Sequence, residues 1–291
     1  MHVARITIWP VAGLGGHEVE AARVLPCGAL ENDRRWRLVD VDGRPLGGLA
    51  RRRLRPVRAE IDPVARTIGL SIVDAAGAET PGIAATFPLR PGPDGPCPWL
   101  SRVAGVGTFL EERPEGGFPA DPDAPGPLLA ATASLEEVGR WFGSSLADVR
   151  GRLAVGVELG GVDGPFWEDT LACPARQGSL RSEGVCDDGA DPWGGVPPPE
   201  PGSVVIGGAL LTAVGVRELG EDTAVDPDSG RPREHFREIF EAWRRRTARP
   251  DVDTTHWPHR YRLAVATVGD GRGGEMRVGD RCVPVAHLGR S

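Results

Sequence analysis

A chain of 291 residues, 40% apolar and 26% charged, is long enough to bury a real core as one large domain or two modest ones, which excludes a mostly disordered protein. Forty-one acids against 34 bases leave a net charge of -7, so a general binder of nucleic acid or anionic membrane, which needs a positive field, is not expected. All the bases are Arg, and without an ε-amine a pyridoxal phosphate Schiff base, a P-loop lysine and a Ser-Lys dyad are excluded.

The start, MHVARITIWPVAG, lacks the long apolar core of a signal sequence, and no run of about 18 apolar residues follows, so the expected location is cytoplasmic. Arg5 to Val11 alternates as a strand and Glu20 to Leu25 gives a second. Trp36 to Leu46 predicts a hairpin turning at Asp42-Gly43, and Arg58 to Asp74 a further meander. Short strands without intervening helices indicate a small barrel or sandwich. From Glu79 to Pro98 and from Glu112 to Pro127 the composition turns to Pro, Gly and Asp, as in linkers, which places a boundary near 112–127.

Past that boundary, Ser134-Leu135-Glu136-Glu137 has capping-box spacing ahead of a helix carrying Leu135, Val138 and Trp141. Strands are expected at Arg152 to Leu159, Val204 to Val216, Tyr261 to Val268 and Glu275 to Val285. A helix runs from about Pro232 to Arg246, with Phe236, Ile239, Phe240 and Trp243 on one face and Arg244-Arg245-Arg246 at its negative end. Residues 174–202 read as a long inserted loop, a lid or a disordered stretch. The fold expected is α+β and predominantly β: a β-barrel-like domain at 1–115 and a second domain at 125–291.

Cys27, Cys97, Cys173, Cys186 and Cys282 are odd in number and show no CxxC pairing, so neither a disulfide framework nor a zinc ribbon is suggested. Cys27 and Cys282 read as core thiols. His256 and His259 have i, i+3 spacing, but Pro258 breaks the helix that metal binding would need. Gly13-x-Gly15-Gly16 lacks the following helix of a dinucleotide fingerprint, and no G-x-S-x-G motif occurs.

Several ordered segments resemble the MOSC family, named for the C-terminal domain of molybdenum-cofactor sulfurase, together with its N-terminal β-barrel partner. Trp9-Pro10-Val11-Ala12-Gly13 is similar to the family's PVKS strand end, and Leu30-Glu31-Asn32-Asp33-Arg34-Arg35-Trp36 to its GL-x-x-DR-x-W. Thr132-Ala133-Ser134-Leu135, Arg150-Gly151-Arg152, Pro165-Phe166-Trp167-Glu168-Asp169, Val225-Asp226-Pro227-Asp228-Ser229-Gly230 and Val278-Gly279-Asp280 follow in family order. The resemblance implies a molybdopterin site between the two domains. It also implies reduction of N-oxygenated groups, as in the mitochondrial amidoxime-reducing branch, or sulfur transfer. Arg34, Ser134 and Arg152 stand at matching positions as candidate cofactor-binding residues, and no catalytic residue is assigned.

Departures from the pattern fall on the same groups. The position of the molybdenum-ligating cysteine is Gly220, and that of the cysteine three residues earlier is Arg217. The lysine and serine of PVKS become Ala12 and Gly13, and the proline and asparagine of RFRPN become Leu153 and Ala154. Two further readings therefore stand beside the molybdenum-cofactor enzyme. One is a metal-free MOSC scaffold that binds or transforms an anionic small molecule, as in specialised metabolism. The other is a noncatalytic module that binds a protein through a Trp-rich surface.

Overall fold

The computed structural model describes residues 1–62, 64–72, 84–90, 92–172, 202–225, 232–252, 254–255 and 257–285. The expected insertion at 174–202 lies outside them except for Gly202. So do Cys173, Cys186, Asp226, Asp228 and His256.

In chain order the first half contains β1 (His2–Ile8), β2 (Val11–Ala12), β3 (His17–Val19), β4 (Ala21–Val24), β5 (Trp36–Val39), α1 (Gly48–Leu54), β6 (Val57–Asp62), β7 (Thr67–Ile72), β8 (Ala85–Pro88), α2 (Cys97–Ala104) and β9 (Phe109–Glu112). The second half contains β10 (Leu129–Ala131), α3 (Thr132–Phe142), α4 (Leu146–Leu153), β11 (Val157–Gly160), β12 (Ser203–Ile206), β13 (Ala209–Glu218), α5 (Phe236–Arg246), β14 (Arg262–Gly269), β15 (Gly274–Arg277) and β16 (Cys282–Pro284). Short 3-10 helices occupy Trp167–Leu171 and Glu221–Ala224. The α+β, mainly β class expected from the sequence is what is found.

Eight strands form one sheet in the order β16-β12-β13-β14-β10-β11-β1-β3, so the first strands of the chain share a sheet with those after residue 129. β1 pairs antiparallel to β11, and β10 lies parallel to β11. The remaining strands form the pair β15-β4 and two three-stranded sheets, β2-β5-β9 and β6-β7-β8. No sheet closes on itself among the described residues.

Three apolar clusters follow from this layering. Val3, Ile6, Leu129, Leu159, Ile206, Leu211 and Met276 fill one side of the large sheet. Leu135, Val138, Val149, Phe236, Phe240 and Leu263 join α3, α4 and α5 in a second cluster. Val11, Trp36, Leu54, Val57, Ile68, Leu70 and Leu100 bury the small sheets against α1 and α2. Each fully buried aliphatic or aromatic side chain contributes about 1.5–3 kcal/mol.

Several local expectations are corrected. Helices α1 and α2 interrupt a region read as strands and linker; α2 starts with Pro98 in its first turn and stops at Gly105, whose φ of 75° suits a left-handed cap. The Asp42-Gly43 turn forms as expected, with Gly43 at φ 76°, and closes a short hairpin in which Val39 bridges Pro45 and the Leu46 N–H donates to the Leu38 carbonyl, while β5 also pairs with β9 and β2. Ser134 does not cap α3, because the N-cap is Ala131 and Ser134 lies inside the first turn. Arg152 is helical, on the last turn of α4, and the strand begins only at Val157 after Ala154 turns through φ 48°. Ser145 caps α4 by accepting from the Asp148 N–H. Helix α5 starts at Phe236, past Pro232.

Candidate functional site

The loop before β5 is built to present Arg34. Asn32 and Arg34 both adopt left-handed backbone, at φ 66° and 47°, a conformation unusual for residues with a Cβ. Asp33 holds them there: its Oδ1 accepts from the Trp9 N–H at 2.8 Å and its Oδ2 from Arg34 Nη1 at 3.0 Å. The Arg34 N–H in turn donates to the Trp9 carbonyl, and the Arg34 guanidinium lies 5.5 Å from the Trp9 ring centroid. Burial pushes the Asp33 carboxyl up, while the Arg34 charge and the Trp9 N–H pull it back. Arg34 therefore stands where Trp9-Pro10 and the DRRW segment are tied together.

The second element is the end of β13. Its pairing with β14 shifts register between Val216 and Glu218, and Arg217 sits in that irregularity. Burial, and next the positive charge of Arg34, lower the Arg217 pKa. Two guanidiniums nearly two hundred residues apart in sequence thus lie within electrostatic reach of each other. Arg34 has Asp33 as partner, whereas Arg217 makes no ion pair or side-chain hydrogen bond among the described residues.

Past Arg217 the chain reaches Gly220, which is exposed and opens the 3-10 helix Glu221–Ala224. A Cβ built on Gly220 would meet nothing within 4 Å. Arginines flank this turn. Arg51 and Arg55, one helical turn apart on α1, hold the two carboxylate oxygens of Asp222 at 3.0 and 3.2 Å. Arg152 donates to the Thr223 carbonyl at 3.5 Å and to Asp148 at 2.9 Å. Arg51, Arg55 and Arg217 were not singled out as cations in the sequence. Arg217 was noticed only as a missing cysteine, and nothing in the periodicity of RRRLR shows that two of its arginines meet a carboxylate 167 residues on.

Of the three residues the sequence nominated, Arg34 and Arg152 border this region from opposite sides and Ser134 lies elsewhere. Ser134 is 0% exposed. Its hydroxyl donates to Glu168 Oε2 at 2.9 Å and accepts from the Phe166 N–H at 2.6 Å. Cys27 is exposed, in a turn rather than a core, and Cys282 is buried, its thiol pushed up to about 12 by desolvation. His259 pairs with Glu218 at 2.8 Å.

Residues 1–88 match the family model of the MOSC N-terminal beta barrel domain. The chain carries a MOSC N-terminal domain. No curated protein matches the sequence. The matched span holds both Trp9-Pro10 and Arg34, so one of the two guanidiniums belongs to the MOSC N-terminal domain and the other to β13, outside the match.

The MOSC family is associated with the molybdenum cofactor. A thiolate-bound molybdenum does not fit the residues described here. The resemblance puts the family's ligand at Gly220, which has no side chain, and the guanidiniums of Arg51, Arg55 and Arg152 that bind the following Asp222 and Thr223 carry N–H donors and no lone pair for a metal. In place of the PVKS lysine and serine stand Ala12 and Gly13. No group of three His, Cys, Asp or Glu among the described residues is arranged to hold a metal ion.

Proposed function

We propose that the protein is a MOSC-type scaffold that binds an anionic small molecule between the Trp9–Arg34 loop and the end of β13, without a protein thiolate on molybdenum. The observation that supports this most directly is the approach of Arg34 and Arg217 with only one carboxylate, Asp33, between the two of them. Like charges held together in partly buried surroundings repel, and an anion shared by both turns that repulsion into two charge-assisted contacts. A guanidinium fork matches the paired oxygens of a carboxylate or phosphate. Arg51 and Arg55 already grip a carboxylate in this manner, that of Asp222. The class of ligand is therefore an anion with paired oxygens, a phosphate or a carboxylate.

Isothermal titration with inorganic phosphate and pyrophosphate tests the reading. Binding should weaken about tenfold in Arg217→Gln, in line with the loss of one charged hydrogen bond, and should fall with added salt. The protein should also be metal-free when purified from a host that makes molybdenum cofactor. Stoichiometric molybdenum with a pterin chromophore, or a melting temperature unmoved by any anion, overturns the proposal.

A further inference from the structure

A second set of ionisable groups lies in the interior, around the Pro165-Phe166-Trp167-Glu168-Asp169 segment, and the anion site makes no use of it. Glu168 and Asp169 are neighbours on the 3-10 helix Trp167–Leu171, and both are fully buried. Glu168 Oε2 accepts from the Ala131 N–H and the Ser134 hydroxyl at the start of α3, at 3.3 and 2.9 Å. Asp169 Oδ2 accepts from Arg244 Nη2 on α5 at 2.5 Å. Arg244 is itself 1% exposed, and its guanidinium lies 3.9 Å from the Phe166 ring centroid. Glu168 Oε1 and Asp169 Oδ1 have no hydrogen-bond partner among the described residues.

With both acids ionised, two adjacent buried carboxylates share one guanidinium contact, that of Arg244 with Asp169, and a charge removed from water without a partner of its own costs several kcal/mol. The geometry shows which acid gives way. Asp169 has the guanidinium, which pulls its carboxyl back down against the effect of burial. Glu168 has only neutral donors, on one oxygen, and its other oxygen is a surplus acceptor that a proton would convert into a donor.

We propose that Glu168 is a proton-operated latch, which fastens the 3-10 helix Trp167–Leu171 to the start of α3 when protonated and loosens that junction when ionised. The groups that face it among the described residues are Asp169 on its own helix, the Ser134 hydroxyl and Ala131 N–H on α3, and Arg244 on α5. Arg244, Arg249 and Arg260 all act on the neighbouring Asp169. Burial, then the Asp169 charge, raise the Glu168 pKa from 4.5 to about 7. The acid is raised in the closed state, so the closed junction is favoured below pH 4.5, loses stability as pH climbs towards 7, and levels off above it.

Amide hydrogen exchange of residues 131–142, corrected for the intrinsic pH dependence of exchange, measures that junction. The opening equilibrium should rise about 40-fold between pH 5 and pH 7, and about a further twofold above pH 7 before it levels off. In Glu168→Gln, whose amide mimics the protonated acid, it should stay flat. In the infrared, a protonated carboxylic acid absorption should fade through pH 7 in the wild-type protein, persist in Asp33→Asn and, fading at lower pH, in Asp169→Asn, which remove the other two buried acids of raised pKa, and be missing from Glu168→Gln. The same pH course of exchange in wild type and Glu168→Gln overturns the latch. Should Glu168→Gln fail to fold, the infrared titrations of Asp33→Asn and Asp169→Asn decide together, and the lack of a fading acid band in either overturns the latch equally.

Discussion

Arg150 grips Glu158 with both arms of its guanidinium, Nε to Oε1 and Nη2 to Oε2, each at 2.7 Å. Glu158 is 2% exposed in β11, and Arg150 sits near the end of α4, so this fork fixes a helix to the strand that follows it. The bond holds the Arg150 guanidinium above its ordinary basicity. One of the two arginines of the family-like Arg150-Gly151-Arg152 segment is thereby committed to the fold.

Arg150→Met should leave Glu158 buried with only the more distant Arg5, at 3.8 Å, and lower stability by about 2–4 kcal/mol in chemical denaturation. Arg150→Met combined with Glu158→Gln should recover much of that loss, since the cost comes from the stranded charge more than from the missing bond. A double variant as unstable as the single one would contradict this.

Arg244 presents the same situation deeper in the molecule. Arg244→Met strips Asp169 of its counter-charge where neither group reaches solvent, at a cost of about 3–5 kcal/mol. Burial already raises the Asp169 pKa and Arg244 is the chief influence pulling it down. The variant should therefore be relatively more stable in mild acid and lose stability as pH rises, and the midpoint of urea unfolding between pH 5 and pH 8 will show the slope.

How far these sites were legible in the sequence depends on the range of the interaction. Helix α3 was legible because Leu135 and Val138 recur at helical spacing, and both are buried. The Ser134 cap was misread because S-x-x-E spacing is a local signal, and a long-range partner, Glu168, took the hydroxyl instead. Arg244 looked like one of three arginines at a helix end. In the fold they part company: Arg244 goes inward to Asp169, Arg245 reaches back to Glu241, and Arg246 lies over Trp243. Arg34 was found through its motif, whereas its neighbour Arg217 carried no motif, and only the folded chain brings them together.

Asp222 supplies a direct test of how the arginines near Gly220 discriminate between anions. Its side chain is more than half exposed, so its pairs with Arg51 and Arg55 are readily exchanged and add little to stability. Asp222→Asn should leave the melting temperature unchanged and tighten phosphate and pyrophosphate binding several-fold, because two guanidiniums lose their internal competitor. Weaker binding in Asp222→Asn would mean that the carboxylate helps to orient the ligand.

Gly220→Cys restores the thiol that the family pattern expects, and the backbone permits it: φ is -77° and ψ 167°, and the new Cβ meets no atom within 4 Å. Stability should change by no more than about 0.5 kcal/mol. One thiolate does not by itself rebuild a molybdenum site. Arg217 remains where the family has its second cysteine, and Ala12 and Gly13 remain in place of the lysine and serine. The variant purified from a host making molybdenum cofactor should consequently be free of molybdenum by elemental analysis, while its phosphate affinity stays that of the wild type, since Gly220 lends no side-chain donor. Molybdenum bound one-to-one by Gly220→Cys would instead mean that the pterin grip is intact, and that the anion drawn to Arg34 and Arg217 is the phosphate of that cofactor.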